Sequence, residues 1–546
     1  MRTEHTQVLV VGAGAVGLSS ALLLGRSGIS CIAIDRRRET SDHPRARGLN
    51  LRTTELLRQW GLQPAMQRAA LPREDSAFAF REETLVGREY GRTETNDGSD
   101  APTPTPRMLV PQYVIEDELR LRARECADVR FRTELLDFSH DANGVTARVR
   151  DLDDGEEHEI RADYLVGADG PASTVRSSLG IELEGIPLLS YWMGVYWRSA
   201  DPRLWEAYLR RPGVGIFCIA PGRIVAFSLV DRVDRWMAFV VLPPTEVRPQ
   251  TPSDEEAAAL VEAASGTPGL DLEVINTAVW RVSSQVAPRY RDGRVLLAGD
   301  AAHLLPHTGG LGMNTGIQDA HNLAWKLALV LRGRAGESLL DTYGTERIPV
   351  ARQNADWCVG NGETLRRIVG SALTGDEEGL AAAIKDENAH VRQDGADLGA
   401  SYVSEAVVPD GTEPPPVGQT RYVPTGRPGH RAPHLWLEHD GVRFSTIDLL
   451  HARFVLLAGP QGGPWRDAAK AHADRTDLPL IAACVGADAE LVDVDDDFLS
   501  TYGIEATGAV LVRPDGHVAW RSSNGDPAPA EKLRTVLSSI LAAPST

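Results

Sequence analysis

The sequence predicts an α/β protein of several folding units, on three observations. A strand, a glycine-rich turn, a helix and a second strand follow one another over residues 7–35. Successive strand-like runs, separated by Pro, Gly and Asp turns, fill residues 188–242. A further α/β pattern begins beyond the proline-rich segment Asp410–Arg427, which contains Pro414-Pro415-Pro416. A chain of 546 residues is also too long for one ordinary domain, at about 100–200 residues each. Its 42% hydrophobic and 24% charged residues disfavour wholesale disorder, collagen and coiled coil.

Gln7–Val11 reads as a short buried strand, followed by Gly12-Ala13-Gly14-Ala15-Val16-Gly17 and an Ala/Leu-rich helix to about Arg26. Cys31–Ile34 is a second apolar strand ending on Asp35, with Arg36 directly after it. In such a unit the first glycine allows the tight turn, the second lets backbone approach a pyrophosphate, and the third lets helix and strand pack closely. An acid at the end of the second strand, about 20 residues on, suits an adenosine ribose. The uncharged stretch Val8–Gly25 also has the look of a membrane span or signal core, but the glycine spacing explains it better and no cleavage signal follows.

Glu74–Asp100 is polar and strand-like in places, the run Ala101–Pro106 punctuates it, and a helix containing Glu116–Ala127 comes next. Tyr164–Ala168 is expected as a buried strand that delivers Asp169-Gly170 into a loop. Leu189–Trp197, Gly215–Ala220, Ile224–Val230 and Trp236–Leu242 then read as an inserted antiparallel sheet. Large apolar residues of this sheet are candidates both for core and for the wall of an aromatic pocket. Trp192, Met193, Phe227 and Phe239 are the substrate-contact candidates. Arg294–Ala298 returns as a strand into Gly299-Asp300 and a helix from about Thr315 to Leu331.

Beyond the linker, Ala452–Leu457, Trp465–Ala473, Leu478–Val485 and a hairpin over Gly508–Arg521, turning at Asp515-Gly516, describe a separate α/β unit. The formal net charge of −19 argues against nucleic acid and anionic membranes as partners. Five scattered cysteines without C-x-x-C offer neither a disulfide framework nor a metal site, and point to a reducing cytoplasm.

Three separated segments point to one ligand: Gly12–Gly17 with Asp35, Asp169-Gly170 with Ser173 and Arg176, and Gly299-Asp300 with the glycine-rich loop after it. Together they resemble the class A flavoprotein monooxygenases, the para-hydroxybenzoate hydroxylase-like family, and particularly its larger members acting on phenols and aromatic polyketides. The similarity covers most of residues 5–350. It implies a Rossmann-type FAD-binding domain with trailing helices (1–72, 103–187 and 285–400) and an inserted antiparallel-sheet substrate domain (73–102 and 188–284). A linker (401–422) and a C-terminal thioredoxin-like α/β domain (423–546) complete the expected layout.

By the same resemblance, Gly12, Gly14, Ala15, Val16, Gly17, Asp35 and Arg36 take the ADP half of noncovalent FAD, and Asp300 takes the ribityl chain. Asp169 matches a motif tied to both FAD and NAD(P)H; Arg45 and Arg47 match arginines near the pyrophosphate and the nicotinamide path; Gln112 matches a ribityl contact. Pro306, Gly310, Leu311, Gly312, Met313 and Asn314 form the loop and helix start expected against the isoalloxazine, where a helix N-terminus stabilises negative charge on the reduced ring. Many relatives carry Pro where this chain has His307. An imidazole of ordinary pKa at that place has two functional readings, phenol deprotonation or flavin positioning, with an effect expected between about pH 6 and 8, beside the plainer reading of a histidine that hydrogen-bonds loop backbone. His303 is read as structural.

The implied activity is FAD-dependent hydroxylation of a phenolic or aromatic polyketide-type molecule, using NADPH or NADH and O₂ and passing through a flavin C4a-hydroperoxide. Baeyer-Villiger or epoxidising chemistry on the same fold is the alternative, with a flavin-binding scaffold or sensor without turnover behind it. The expected partners are a small aromatic substrate and O₂, and the expected assembly is a monomer or homodimer. With Cys484 alone, the C-terminal unit is expected to be redox-inert.

Overall fold

The computed structural model describes residues 2–76, 78–95, 100–416 and 418–542. Positions 77 and 96–99 of the polar Glu74–Asp100 segment, and position 417 of the linker, lie outside the described residues.

The first sheet is built on Thr3–Val11, a nine-residue strand whose last four residues are fully inside. It pairs in parallel with Cys31–Asp35 on one side and Glu157–Gly167 on the other. Val295–Leu297 adds in parallel to Glu157–Gly167, and Asp128–Phe131 to Cys31–Asp35. Parallel strands covered on both faces read as unbroken apolar runs, which is why Val8–Val11 and Cys31–Ile34 show no alternation. The Ala15–Arg26 and Gly312–Leu331 helices lie against each other over this sheet. The Gln112–Ala123 helix begins earlier than expected, directly after Pro111, and ends before Cys126. An antiparallel pair, Thr133–His140 with Val145–Asp151, extends the sheet and had no clear signal in its charged sequence.

The second sheet has eight strands in the order His303–Leu304, Glu273–Val286, Glu184–Arg198, Arg235–Leu242, Arg223–Leu229, Gly215–Ala220, Phe78–Glu82 and Glu89–Glu94. All pairings are antiparallel except Gly215–Ala220 with Phe78–Glu82. One face packs against the Pro202–Arg210 and Asp254–Ser265 helices, burying Met193, Val195, Trp197, Phe227, Trp236 and Val240 among Leu204, Tyr208 and Val261. His303–Leu304, only three residues after Asp300, closes one edge of this sheet and ties it to the first.

A four-stranded C-terminal sheet runs Leu480–Cys484, Phe454–Ala458, Ala509–Val512, Val518–Ser522, with the first pair parallel and the rest antiparallel. With the Gly463–Thr476 and Pro529–Ile540 helices it forms the thioredoxin-like α/β unit. Its core is continuous with the outer face of the Gly312–Leu331 helix, through Trp325 and Leu329 against Phe454 and Leu456. The segment joining it to the rest has little regular structure but packs firmly, with Tyr402, Ala406, Tyr422 and Arg431 buried. Among the described residues no helix is long and apolar enough to cross a membrane.

Candidate cofactor and substrate cleft

The three glycines of the first turn do three different things. Gly12 sits at φ +102, and a Cβ there would lie 2.2 Å from the Ala168 carbonyl oxygen. A Cβ on Gly17 would lie 1.8 Å from the Gly12 carbonyl oxygen, so only glycine lets helix and strand approach this closely. At Gly14 nothing stands nearer than 3.6 Å, which leaves its backbone open to a ligand. Ala15 and Val16 open the helix, whose N-terminal N–H groups face the same space.

Asp35 stands at the strand end, but its carboxylate is engaged: it accepts from the Ala13 N–H at 2.8 Å and from Arg37 through both backbone N–H and guanidinium at 2.8–3.0 Å. Arg37 holds its carboxyl below the usual range against the opposing effect of burial. Arg36, the expected basic neighbour, is exposed, and Arg37 is the residue that reaches the turn, its guanidinium also 3.7 Å from buried Glu116. The pattern of three consecutive arginines gave no way to choose among them.

On the far side, Gly299 turns the chain at φ +62 and presents Asp300. Asp300 is solvent-accessible although it lies deep among protein atoms, as the wall of an interior cleft must, and that enclosure raises its carboxyl pKa, with His303 and Arg45 opposing. It has no hydrogen-bond partner among the described residues. An acid in this state is an acceptor awaiting donors, and a polyhydroxyl chain supplies them. Arg45 faces the same opening, with backbone at φ 35 and its own N–H donated to His43 Nδ1 at 3.1 Å.

Pro306 leads into a turn over His307–Gly309, Gly310 reverses the chain at φ +66, and the long helix starts at Gly312, three residues before the expected position. Gly312 and Met313 therefore present helix-terminal N–H groups to the cleft, while the Leu311 N–H is turned to Cys358. Asn314 braces this start: its Nδ2 donates to the Gly310 and Gly48 carbonyls at 2.7 and 2.9 Å, and its Oδ1 accepts from the Asn50 N–H. Gln112 closes the side wall, accepting from the Ala46 N–H at 3.2 Å and donating to Glu116 at 2.7 Å.

The His307 ring projects into the cleft with no hydrogen-bond partner among the described residues, and it meets Trp192 edge-on at 3.7 Å between centroids. Enclosure pushes its pKa down to about 4, so it is neutral at working pH, and the expected effect between pH 6 and 8 is corrected to a lower window. Strand alternation then sorts the substrate candidates. Trp192 and Phe239 lie on the sheet face toward the cleft, 6.5 Å apart, with Trp280 6.3 Å beyond Phe239. Tyr196 and Met237 share that face with Phe239 and with Tyr113, and the Tyr196 ring lies 6.0 Å from His43. Met193 and Phe227 depart from expectation: they point the other way, into the core beneath the helices. Trp192 and Met193 are adjacent on one strand and cannot share a face.

Two more candidates differ. Arg47 turns its guanidinium away from the cofactor space onto the Leu229 and Val214 carbonyls, so it anchors the second sheet. Asp169 caps the Thr174–Ser178 helix, accepting from Ser173 Oγ at 2.5 Å and the Val175 N–H at 3.1 Å, while Arg176 donates to the Ala301 carbonyl at 3.0 Å. This loop supports the Asp300 loop instead of offering a free acid. His303 is fully buried with Nε2 2.7 Å from Asp319, in keeping with a structural role. The C-terminal Cys484 is buried, without a second cysteine beside it in sequence, and its thiol pKa is raised.

Comparison with known proteins places this cleft in context. An FAD binding domain model matches residues 5–358, and an aromatic-ring hydroxylase C-terminal model matches residues 425–544. Tetracenomycin A2 monooxygenase-dioxygenase of Streptomyces glaucescens is 38% identical, over 99% of this chain and 98% of its own length. 4-Methyl-5-nitrocatechol 5-monooxygenase of a Burkholderia species is also 38% identical, over 98% and 97%. Among solved structures, the flavin-dependent monooxygenase PieE with FAD and substrate superposes with a TM-score of 0.93 at 33% identity, covering 99% of both chains. Aklavinone-11 hydroxylase with FAD and aklavinone gives 0.86 at 34% identity, covering 99% of this chain and all of the other. The chain belongs to the FAD-dependent aromatic-ring hydroxylases, a family of monooxygenases.

Proposed function

We propose that the chain hydroxylates a planar, multi-ring phenol of aromatic polyketide type, held between the flavin and the Trp192–Phe239 face of the second sheet. The observation that carries this reading is the opposition of two kinds of wall across one cleft. Asp300 and the 312–331 helix start offer polar contacts on one side, and Trp192, Phe239 and Trp280 an apolar surface on the other. The residues present fit FAD: an open approach at Gly14, an unpartnered acid at Asp300 and the helix-terminal N–H groups of Gly312 and Met313. When bound, FAD supplies the redox chemistry, accepting hydride from NAD(P)H and delivering one atom of O₂ to the ring.

The chain's own residues bind and orient. Asp300 holds the ribityl hydroxyls, the helix N-terminus stabilises negative charge on the pyrimidine edge, and the aromatic face excludes water from the reacting ring. His307, neutral at working pH, hydrogen-bonds the substrate hydroxyl through a ring nitrogen, drawing the phenolic proton toward itself and enriching the ring in electrons. NAD(P)H docks transiently near Arg45, since the chain holds one complete G-x-G-x-x-G and the ADP half of FAD takes it. Stopped-flow mixing of the FAD-loaded chain with NAD(P)H and a panel of polycyclic phenols tests this reading. Reduction is expected to be slow alone and much faster with a true substrate, with one ¹⁸O atom from O₂ appearing on an aromatic carbon. Oxygen inserted beside a ketone or across an alkene instead would overturn hydroxylation.

A further inference from the structure

Behind the cleft wall lies a buried lattice of charges that joins the cofactor loop to the C-terminal unit. Its centre is Asp319, fully buried on the 312–331 helix. One carboxylate oxygen accepts from the Gly299 N–H at 3.2 Å and pairs with His303 Nε2 at 2.7 Å; the other accepts from Arg347 Nε at 2.7 Å. Arg347, on the Asp341–Thr374 helix and itself fully buried, has two more arms. One donates to the Thr315 carbonyl in the first turn of the 312–331 helix, and the other to Tyr402 Oη, both at 3.1 Å. A single guanidinium thus grips the 312–331 helix at two points and, through Asp319, the Gly299–Asp300 loop.

The far end of the lattice belongs to the C-terminal hairpin. The Tyr402 ring is stacked on His517 with centroids 4.0 Å apart, and Arg513 lies 5.3 Å over the same ring. Arg513 also donates to Glu346, the residue beside Arg347, at 2.6 and 2.8 Å. Glu346 in turn accepts from Lys326 and Asn322 of the 312–331 helix, both at 2.7 Å. Arg347 is thus linked to the C-terminal hairpin through Tyr402 of the connecting segment.

We propose that Arg347 is a positioning residue for FAD, and that the C-terminal hairpin sets its orientation through Tyr402. It acts through Asp319 on the Gly299–Asp300 loop and through the Thr315 carbonyl on the helix start. A planar, three-armed guanidinium can join three acceptors at fixed angles; a lysine ammonium keeps the charge opposite Asp319 without that fork. The inference rests on the cleft being the FAD site, so a variant of Asp300 serves as the reference.

The test is equilibrium binding of FAD to the flavin-stripped full chain, with visible circular dichroism of the bound flavin and melting of the apoprotein recorded for each variant. Arg347→Lys is expected to weaken FAD binding about tenfold, and Tyr402→Phe, which removes one oxygen, about threefold. In both the dichroism of the bound flavin changes; the Tyr402→Phe apoprotein stays folded but melts lower, because one arm of the buried guanidinium loses its acceptor. A merely structural role would lower melting without moving the dichroism. Unaltered affinity and dichroism in Tyr402→Phe, with Arg347→Lys either the same or unfolded, overturns the proposal. Asp300→Ala, which removes the acceptor, separates the two claims: if it loses FAD while the other variants do not, the positioning role fails and the site stands; if it does not lose FAD, the site assignment itself fails.

Discussion

Asp300 stands in the cleft with a carboxyl that no neighbouring donor satisfies, and this makes it the sharpest single test of cofactor binding. A hydrogen bond to a charged acceptor contributes about 1.5–3 kcal/mol, so Asp300→Ala should weaken FAD binding roughly ten- to a hundredfold, with far-UV circular dichroism unchanged. Wild-type affinity by equilibrium dialysis would remove Asp300 from the site. His307 gives a second test. Glutamine keeps a neutral hydrogen-bonding group, so His307→Gln should lower turnover by about three- to tenfold while leaving the shape of the pH profile between about pH 6 and 8 unaltered, because the imidazole titrates near 4. A limb lost in that range would show that substrate or flavin restores an ordinary imidazole pKa. The residue types at the glycine turn, at Asp300 and at Leu311–Asn314 were legible because each lies in a short contiguous motif. Arg37 was not, since three successive arginines differ only in which one the turn after Asp35 aims inward.

At the level of elements, the two faces of the second sheet separate stability from substrate binding. Phe227 packs under the helices, so Phe227→Ala should cost about 3–5 kcal/mol of stability and leave the affinity of the remaining folded enzyme for substrate unaltered. Phe239 faces the cleft and is only partly buried, so Phe239→Ala should cost less stability, by thermal melting, and should raise KM or uncouple NAD(P)H oxidation from hydroxylation. The reverse pattern would mean that the substrate lies elsewhere. The strands themselves were readable from runs of large apolar residues between turns, and Gly215–Ala220 coincides with its expected bounds. Which residues of a strand face the ligand was not readable, because both faces of this sheet are covered by apolar surface. Adjacent Trp192 and Met193 look alike in composition and are divided only by the register of pairing with Val241 and Val240.

For the whole molecule, the buried histidines set the acid limit of the FAD-free chain. Burial pushes His43, His307, His430 and His434 down to about 4 and His321 to about 3. Below about pH 6.5 the unfolded chain takes up protons that these folded imidazoles refuse, so stability falls as pH drops from about 6.5 toward 4. Glu82, pushed up to about 7, and the raised carboxyls of Asp169, Asp300, Asp397 and Asp493 act in the opposite direction, while the lowered imidazoles of His451, His472 and His517 add to the five. Melting temperature should therefore decline steadily between pH 6.5 and 4.5, and a flat profile would contradict the burial of these rings.

The division into a dinucleotide-type sheet, an antiparallel sheet and a C-terminal α/β unit was legible from local patterns. The lattice that welds them was not: Glu346 and Arg513 are 167 positions apart, and neither carries a local sign of the other. One cleft is expected to hold FAD against Asp300 and the 312–331 helix start, with the aromatic face of the second sheet opposite. A crystal structure of the FAD-loaded chain tests it most directly. Ribityl hydroxyls are expected within hydrogen-bond reach of Asp300 and the isoalloxazine against Leu311–Asn314, across from Trp192. A flavin ring bound elsewhere, with Asp300 still unpartnered, would contradict it.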